Sequence, residues 1–252
     1  MHRVVFQIGS FTLYSYGVFV AFGFLLGSSL ILRQAKKKGF DSGSISDCLT
    51  AVLIGGLLGG RLLFVLINWQ QYSQNILRIF MIYEGGLAVQ GAVVMGILSV
   101  ALISHIRKLS FWKVSDLIAP YVALGQAMGR IGCFLNGCCY GKPIESGIGV
   151  TLRGESFRRI PTQIYSSIGL FFIFILLLWI RKKHSFDGRI FIVYIMLYSG
   201  FRFFMDFLRG DELALIYGVK LSQAIGALMF AAAAGLYAIL RRRGQGVTNE
   251  KT

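Results

Sequence analysis

The sequence predicts an all-α membrane protein that crosses the bilayer seven times. Of its residues, 55% are hydrophobic and only 15% are charged, whereas about a quarter of the residues in soluble domains are charged. The mean hydropathy of +0.66 is unevenly distributed, because apolar stretches alternate with short clusters of lysine and arginine. A helix needs roughly 20 apolar residues to cross about 30 Å of hydrocarbon, where each backbone polar group must be satisfied within the segment. These observations together predict transmembrane helices.

Seven stretches have the required length and hydropathy. Glycine and polar residues interrupt the third and fourth, which are the least purely apolar of the set. The predicted spans cover residues 13–32, 47–67, 86–104, 115–134, 163–180, 189–208 and 221–240.

Short basic clusters between the spans predict the orientation. They fall on one side, which is cytoplasmic by the positive-inside rule. The clusters are Arg33 with residues 36–38, Arg107 to Lys113, Arg181 to Arg189, and 241–243. The N-terminus is then outside and the C-terminus cytoplasmic. We expect one membrane domain over residues 1–243, a disordered cytoplasmic tail over 244–252, and a small outer cap formed by the polar segment 135–162, between spans four and five.

The composition also argues against several other classes. The net charge of +15 does not predict nucleic-acid binding, because the basic residues lie at the ends of apolar runs and form no single stripe. The N-terminus lacks the pattern of a cleavable signal peptide. The cysteines match neither a zinc-site spacing nor a secreted disulfide framework, so no metal and no cofactor are predicted. They are Cys48, Cys133, Cys138 and Cys139. We interpret the last three as small packing residues, with a covalent thioether or a redox switch as the alternative.

Three arginines fall in the outer halves of predicted spans, namely Arg61, Arg130 and Arg202. An arginine at mid-helix costs about 2.5–3.5 kcal/mol on insertion scales. A single arginine can extend its charged end to the interface and serve no further role. A cluster is better explained by pairing or by a shared polar cavity.

Polar partners at helical spacing favour the shared cavity. On the sixth span, four polar residues are spaced four, four and three apart and therefore share a face: Tyr198, Arg202, Asp206 and Arg209. On the fourth span, Gln126 and Arg130 are four apart. Glycine pairs such as Gly55–Gly59 and Gly125–Gly129 allow close approach of helices. A cavity lined by guanidinium groups suits an anionic lipid headgroup, since arginine binds phosphate through paired hydrogen bonds.

At these residues the sequence resembles the prolipoprotein diacylglyceryl transferase family. The strongest segment is 123–141, Ala-Leu-Gly-Gln-Ala-Met-Gly-Arg-Ile-Gly-Cys-Phe-Leu-Asn-Gly-Cys-Cys-Tyr-Gly, which is similar to the family signature Gly-Arg-Ile/Leu-Gly-Asn-Phe-x-Asn-Gly-x-x-x-Gly. The other matching segments follow in the order of the family. They are Tyr14 to Gly17, Gly60-Arg61, Glu84 to Gly91, Pro161 to Tyr165, Tyr198 to Arg209, and Gln223.

The resemblance implies a bacterial inner-membrane enzyme that moves diacylglyceryl from phosphatidylglycerol to the lipobox cysteine of a prolipoprotein signal peptide. It also implies roles for residues of this chain. Arg130 and Arg202 would contact the headgroup and the departing phosphate, and Asp206 takes a glutamate position. The implied catalytic residues are Arg130, Arg202, Tyr198 and Gln90. The implied substrate-binding residues, besides those two arginines, are Arg61, Tyr16, Asn136, Gly141, Asp206, Arg209 and Gln126.

Two positions depart from the family pattern. Gln90 stands where most members have a histidine that is often assigned to catalysis, and Cys133 replaces the first asparagine of the signature. An amide cannot act as a general base near neutral pH. His105 and His184 are predicted on the cytoplasmic side, and His2 is terminal. We therefore expect the arginines to activate the acceptor thiol, because nearby cations lower thiol pKa values.

Two other functions fit parts of the sequence. A divergent paralogue with another thiol acceptor or lipid donor would account for Gln90 and Cys133. A transporter or scramblase of anionic lipid would also use arginines, although the sequence has no inverted repeat and no paired broken helices. A receptor or purely structural role ranks last, since it gives no reason to hold several arginines in the bilayer.

Overall fold

The computed structural model describes residues 4–8, 11–81, 85–152, 155–183, 185–210, 214–216 and 219–249. Glu84 of the matching segment 84–91 lies outside the described residues, as do His2 and His184. The chain is mostly helical. In order, the helices are α1 (Ser15–Lys37), α2 (Ser42–Ile67), α3 (Trp69–Tyr72), α4 (Val89–Ile106), α5 (Phe111–Asn136), α6 (Thr162–Ile180), α7 (Arg189–Leu208) and α8 (Leu221–Asn249). A 3₁₀ helix, Ile76–Phe80, follows α3.

Each predicted span coincides with one long helix. Six of them are long and apolar enough to cross a membrane, counted over the described part of the chain: α1, α2, α4, α6, α7 and α8. The remaining long helix, α5, has 26 residues. It is not apolar enough to be counted with the other six, because it carries Pro120 and several polar residues. Large apolar side chains such as Leu25, Leu58 and Phe172 stay exposed on these helices, as expected where lipid surrounds them.

The all-α prediction was wrong for the connecting segments, which contain short antiparallel strands. The β-branched and aromatic residues of these segments favour extended backbone. A hairpin of β1 (Val4–Ile8) and β2 (Phe11–Tyr14) precedes α1, and another of β6 (Ala214–Ile216) and β7 (Val219–Lys220) precedes α8. Between α5 and α6, a small sheet has the order β3 (Pro143–Ile144), β5 (Arg158–Arg159), β4 (Val150–Thr151).

The chain divides into two compact units, residues 1–31 with 118–252, and residues 32–117. The core of the first unit joins α5, α6 and α7 through eight buried residues: Ala119, Ala123, Ala127, Leu170, Ile173, Leu177, Ile190 and Tyr194. The single membrane domain over residues 1–243 and the disordered tail remain predictions. The backbone of α8 continues into that tail as far as Asn249.

In the second unit, α2 packs closely against α4 at glycines. A Cβ atom added at Gly91 would lie 2.2 Å from the carbonyl oxygen of Gly59 and 2.7 Å from the Cβ atom of Leu63. We expect Gly91→Ala to destabilise the protein by about 1–3 kcal/mol, because the two helices must separate. The thermal midpoint of purified protein measures this. Gly96→Ala on the same helix is the control, since its nearest neighbour is 3.8 Å away. An equal response of both variants would contradict this packing.

Candidate active site

Side chains of α5 and α7 contact each other in the first unit. The hydroxyl of Tyr194 donates a hydrogen bond to Oε1 of Gln126, at 3.0 Å. One turn further along, the guanidinium of Arg130 interacts electrostatically with Tyr198. Six residues after the end of α5, the amide of Lys142 donates to the carbonyl of Leu208, the last residue of α7, at 2.9 Å. The polar faces predicted for α5 and α7 therefore meet.

Arg130 lies at the centre of this polar region. Its charge interacts with Cys133, Cys139, Tyr198 and Arg209. Tyr16, at the start of α1, interacts with Arg130 and with the same cysteines. Close packing brings Tyr16 there, because a Cβ atom at Gly132 would lie 3.1 Å from its Cα atom. The start of α1, the end of α5, the following turn and α7 thus contribute to one cluster.

Arg202 and Asp206 form an ion pair within α7. The Nε atom of Arg202 lies 3.1 Å from Oδ1 of Asp206, and the carboxylate side chain is 0% exposed whereas the arginine side chain is 21% exposed. A buried charge is tolerated only when it is paired. Asp206 therefore holds the Arg202 guanidinium in place from the buried side.

Lys220 secures the C-terminal end of α7, a role that the sequence analysis missed. Its Nζ atom donates to the carbonyls of Asp206 and Arg209, each at 2.6 Å. Its backbone amide donates to Oε1 of Gln223, at 3.0 Å. A cation at a helix C-terminus satisfies carbonyls that lack partners within the helix. The only sequence signal for this contact was a lysine directly before an apolar span.

The first residues of α6 hold the turn after α5 through side-chain hydrogen bonds. Nε2 of Gln163 donates to the carbonyl of Cys138, at 2.7 Å, and the Thr162 hydroxyl donates to the carbonyl of Cys139, at 2.8 Å. Both donors are buried. Cys139 has a φ of 58°, in the left-handed region that few residues other than glycine adopt. Such strain persists only where the surroundings fix the backbone.

Gly141 and Asn136 flank this turn. The amide of Gly141 donates to the carbonyl of Ile160, and a Cβ atom at Gly141 would lie 2.6 Å from that oxygen. Gly141 also forms a β-bridge with Arg209. Asn136 is the last residue of α5, two residues before Cys138. These residues shape the turn and tie it to the end of α7.

The turn gathers three cysteines. The sulfur atoms of Cys133, Cys138 and Cys139 all lie within 4.8 Å of one another, although the sequence analysis treated these residues as separate packing residues. The hydrogen bonds from the other two thiols, with the charges of Arg130 and Arg209, lower the pKa of Cys139. The cluster therefore lies within the arginine site. The spacing of the cysteines did not predict this cluster, because the thiols are brought together by a turn with a left-handed residue. No sequence motif marks that turn.

Two predicted residues, Arg61 and Gln90, belong to the second unit. Gln90 is exposed at the start of α4. Arg61 is 4% exposed and donates to five backbone carbonyls over 2.6–3.2 Å. The acceptors are the carbonyls of Arg78, Ile79, Met81, Gly85 and Gly86. The guanidinium has five N–H donors, so Arg61 holds this loop together.

We expect Arg61→Lys to destabilise the protein although the charge is kept. An ammonium group has three donors and lacks the planar fork of arginine, so several carbonyls lose their partner. The expected loss is on the order of 3 kcal/mol, because hydrogen bonds to a charged group contribute about 1.5–3 kcal/mol each. A lower thermal midpoint in detergent would report it. Arg33→Lys, at an exposed position of α1, is the control; a midpoint shift no larger than in that control would contradict this role.

A bidentate ion pair stabilises the segment between α5 and α6. Nε and Nη2 of Arg159 donate to the Glu155 carboxylate, at 2.6 and 2.9 Å. The guanidinium lies over the rings of Tyr140 and Phe157, 4.5 and 4.7 Å from their centroids. These hydrogen bonds lower the pKa of Glu155. The pair thus connects the small sheet to the turn that carries the cysteines.

This pair makes a pH-dependent contribution to stability. Because the folded pKa of Glu155 lies below its unfolded value of about 4.3, the stabilisation is present at neutral pH and is lost as the pH falls through the folded pKa. We expect Glu155→Gln to lower the thermal midpoint slightly at pH 7 and to match the unsubstituted protein near pH 3. Glu145→Gln, at an exposed position of the same segment, is the control. A difference that grows on acidification would contradict this assignment.

The fold and the site define a mostly helical membrane protein with arginines, tyrosines and thiols gathered at the ends of its helices. Comparison with known proteins agrees with this class. The sequence model described as prolipoprotein diacylglyceryl transferase matches residues 3–239, and the chain belongs to that family. The family resemblance found in the sequence is thereby confirmed.

Individual relatives cover almost the whole chain. A phosphatidylglycerol–prolipoprotein diacylglyceryl transferase 2 of Clostridium perfringens is 33% identical, with 100% of both chains covered. A phosphatidylglycerol–prolipoprotein diacylglyceryl transferase of Clostridium tetani is 36% identical over 89% of this chain and 92% of its own. One of Halalkalibacterium halodurans is 32% identical over 100% of this chain and 90% of its own.

Proposed function

We propose that this protein transfers the diacylglyceryl group of phosphatidylglycerol to the lipobox cysteine thiol of a prolipoprotein, the first step of lipoprotein maturation. The names of its relatives support this function. The observation that carries it is that Arg130 of α5 lies within electrostatic range of Tyr198 and Arg209, on the polar face of α7. On that same face, one turn after Tyr198, Arg202 pairs with Asp206. Such a set of cations is suited to a phosphodiester.

The chemistry is substitution at a glyceryl carbon. The acceptor thiolate forms a C–S bond, the C–O bond to the phosphate breaks, and its electron pair leaves with glycerol phosphate. Arg130 and Arg202 bind the phosphate and stabilise the charge that grows on the leaving oxygen. Tyr198, one turn before Arg202, and Arg209 complete the polar face. Tyr16, Gln126, Asn136 and Gly141 contact or position the substrate.

The two residues of the second unit take different parts in this proposal. Gln90, predicted to be catalytic, lies at the start of α4, and its amide can provide no general base. Arg61 was predicted to bind substrate, but its donors serve the loop carbonyls of residues 78–86. We therefore assign Arg61 to the support of that loop.

The membrane arrangement is part of the same proposal. All seven long helices, α5 included, span a bacterial inner membrane, with the N-terminus outside and the C-terminus in the cytoplasm. The basic clusters between spans support this orientation. The sheet of β3, β4 and β5 then forms the outer cap. The arginine cluster lies near the outer leaflet, where a secreted precursor and phosphatidylglycerol both reach it.

The direct test combines purified protein, phosphatidylglycerol vesicles and a lipobox peptide. Mass spectrometry should find a diacylglyceryl adduct on the peptide cysteine and an equal amount of released glycerol phosphate. A peptide with serine in place of that cysteine should remain unmodified. The same peptide recovered unmodified, with the lipid intact, would contradict the function.

A second candidate keeps the site and changes the acceptor. Gln90 and Cys133 are the observations that favour it, because both depart from the family pattern. Small thiols and unrelated cysteine peptides, offered in the same assay, separate the two functions. Faster modification of those acceptors than of the lipobox peptide would support the second candidate.

A further inference from the structure

The three-cysteine cluster has no role in the transfer steps assigned to the arginines. Cys133 lies in the last turn of α5, and Cys138 and Cys139 lie in the turn that follows. Over the residues that the structure describes, these three side chains form the one group of at least three metal-ligating residues close enough to share an ion. Cys133 is buried, and the other two are half-buried.

The cluster has nearly the dimensions of a three-thiolate zinc site. A Zn–S bond of about 2.3 Å places tetrahedral ligands about 3.8 Å apart. The three sulfur atoms lie within 4.8 Å of one another, so a contraction of about 1 Å closes the site. The buried side chains of Thr162 and Gln163 hold the turn that presents Cys138 and Cys139.

The charges around the cluster also suit such a site. Three thiolates and one divalent ion carry a net charge of −1, which needs a neighbouring cation away from bulk water. Arg209 is buried, and its backbone forms a β-bridge with Gly141, two residues after Cys139. Soft thiolate ligands select zinc, Cu(I) or iron–sulfur clusters over magnesium and calcium. Zinc requires no redox partner.

We propose that Cys133, Cys138 and Cys139 bind a zinc ion whose open fourth position takes the acceptor thiol. This inference rests on the proposed transfer function. Zinc sites with three protein ligands and an open position are the catalytic type. A thiol that coordinates a metal ion is deprotonated, so zinc supplies the thiolate that a general base would otherwise generate.

The step balances without a redox partner. The acceptor thiol loses its proton to water as its sulfur coordinates zinc. The coordinated thiolate attacks the glyceryl carbon, the C–O bond breaks, and the electron pair leaves on the phosphate oxygen beside Arg130. The product thioether is neutral and dissociates from zinc, which stays divalent throughout.

The proposal gives one reason for both departures from the family pattern. Gln90 provides no base, and Cys133 provides a third thiol where the signature has asparagine. With Cys138 and Cys139 alone, two adjacent residues would offer only two ligands. The third ligand and the loss of the histidine therefore occur together in this chain.

Metal content of the full-length protein tests the site without any activity measurement. Protein purified in detergent with a reductant should contain about one zinc per chain by elemental analysis. The variant C133S/C138S/C139S should contain less than a tenth of that amount, and C48S should retain it, because Cys48 is buried in the other unit. Equal zinc in the triple variant, no zinc after incubation with Zn²⁺, or a mapped Cys133–Cys138 disulfide would overturn the site.

Cobalt substitution tests the open position. Co²⁺ in the site should show thiolate-to-metal charge-transfer absorption that increases when a lipobox peptide binds. A peptide with serine in place of the cysteine should leave the spectrum unchanged. Equal changes of the cobalt spectrum with both peptides would overturn the proposal that the metal ion binds the substrate thiol.

Activity then separates this inference from the function on which it rests. Removal of zinc by a chelator should lower transfer at least 100-fold, and added Zn²⁺ should restore it. Full transfer by protein that contains no metal would overturn the zinc site and leave the transferase function intact. A different outcome is that zinc-loaded protein binds the peptide cysteine, as seen in the cobalt spectrum, and yet transfers no diacylglyceryl group. That result would overturn the function and leave the metal site intact.

Discussion

Arg130→Ala should abolish diacylglyceryl transfer, with a fall in kcat on the order of 1,000-fold. Arg130 and Arg202 are proposed to bind the phosphate together, so Arg202 alone would supply only part of the charge stabilisation. Loss of a charged donor to the leaving group raises the transition state more than the bound lipid. The mass assay with a lipobox peptide measures the rate.

Two comparison variants make this prediction specific. Arg130→Lys keeps the charge and loses the bidentate geometry, so it should recover only part of the activity. Gln90→Ala should cost much less than Arg130→Ala, because the amide is no proton acceptor. Equal inactivity of Gln90→Ala and Arg130→Ala would show that thiol activation depends on Gln90, contrary to this account.

Asp206→Ala should produce the second large effect, a loss of both stability and transfer. The carboxylate is 0% exposed and pairs with Arg202 at 3.1 Å. Its removal leaves a guanidinium without its buried counter-charge, a change that costs about 3–5 kcal/mol in comparable pairs. Thermal midpoint and transfer rate, measured on the same preparation, report the two effects.

An exposed ion pair provides the control for Asp206. Arg107 and Asp47 pair at the surface with side chains 51% and 42% exposed, and such pairs contribute about 0–1 kcal/mol. Asp47→Asn should therefore change neither quantity much. Asp206→Glu should keep the charge and retain more activity than Asp206→Ala. An Asp206→Ala variant as stable and active as Asp47→Asn would contradict the role of the pair.

The sequence predicted the long helices well because hydropathy alone determines where a chain can cross a bilayer. The sixth predicted span, 189–208, coincides with α7. The shared face of Tyr198 to Arg209 followed from helical spacing, and the pairing of Asp206 with Arg202 agrees with it. Periodicity is a local property, so such features are accessible from sequence.

Contacts between distant segments were not accessible in this way. The cluster of three cysteines depends on the positive φ of Cys139, in the turn after α5, and on hydrogen bonds donated by Thr162 and Gln163 of α6. The Lys220 contact with the end of α7 joins a hairpin to a helix 14 residues earlier. For Arg61, its place in a predicted span indicated a charge that needs a partner, but the sequence did not indicate that its partners would be five backbone carbonyls of residues 78–86.

Arg130 of α5 and Arg202 of α7 should bind one lipid phosphate. An experimental structure of the protein in nanodiscs that contain phosphatidylglycerol tests this most directly. Headgroup density is expected with phosphate oxygens within hydrogen-bonding distance of both guanidinium groups, beside the turn of Cys138 and Cys139. A map in which these two side chains contact acyl chains or separate water-filled surfaces, with no common lipid, would contradict it.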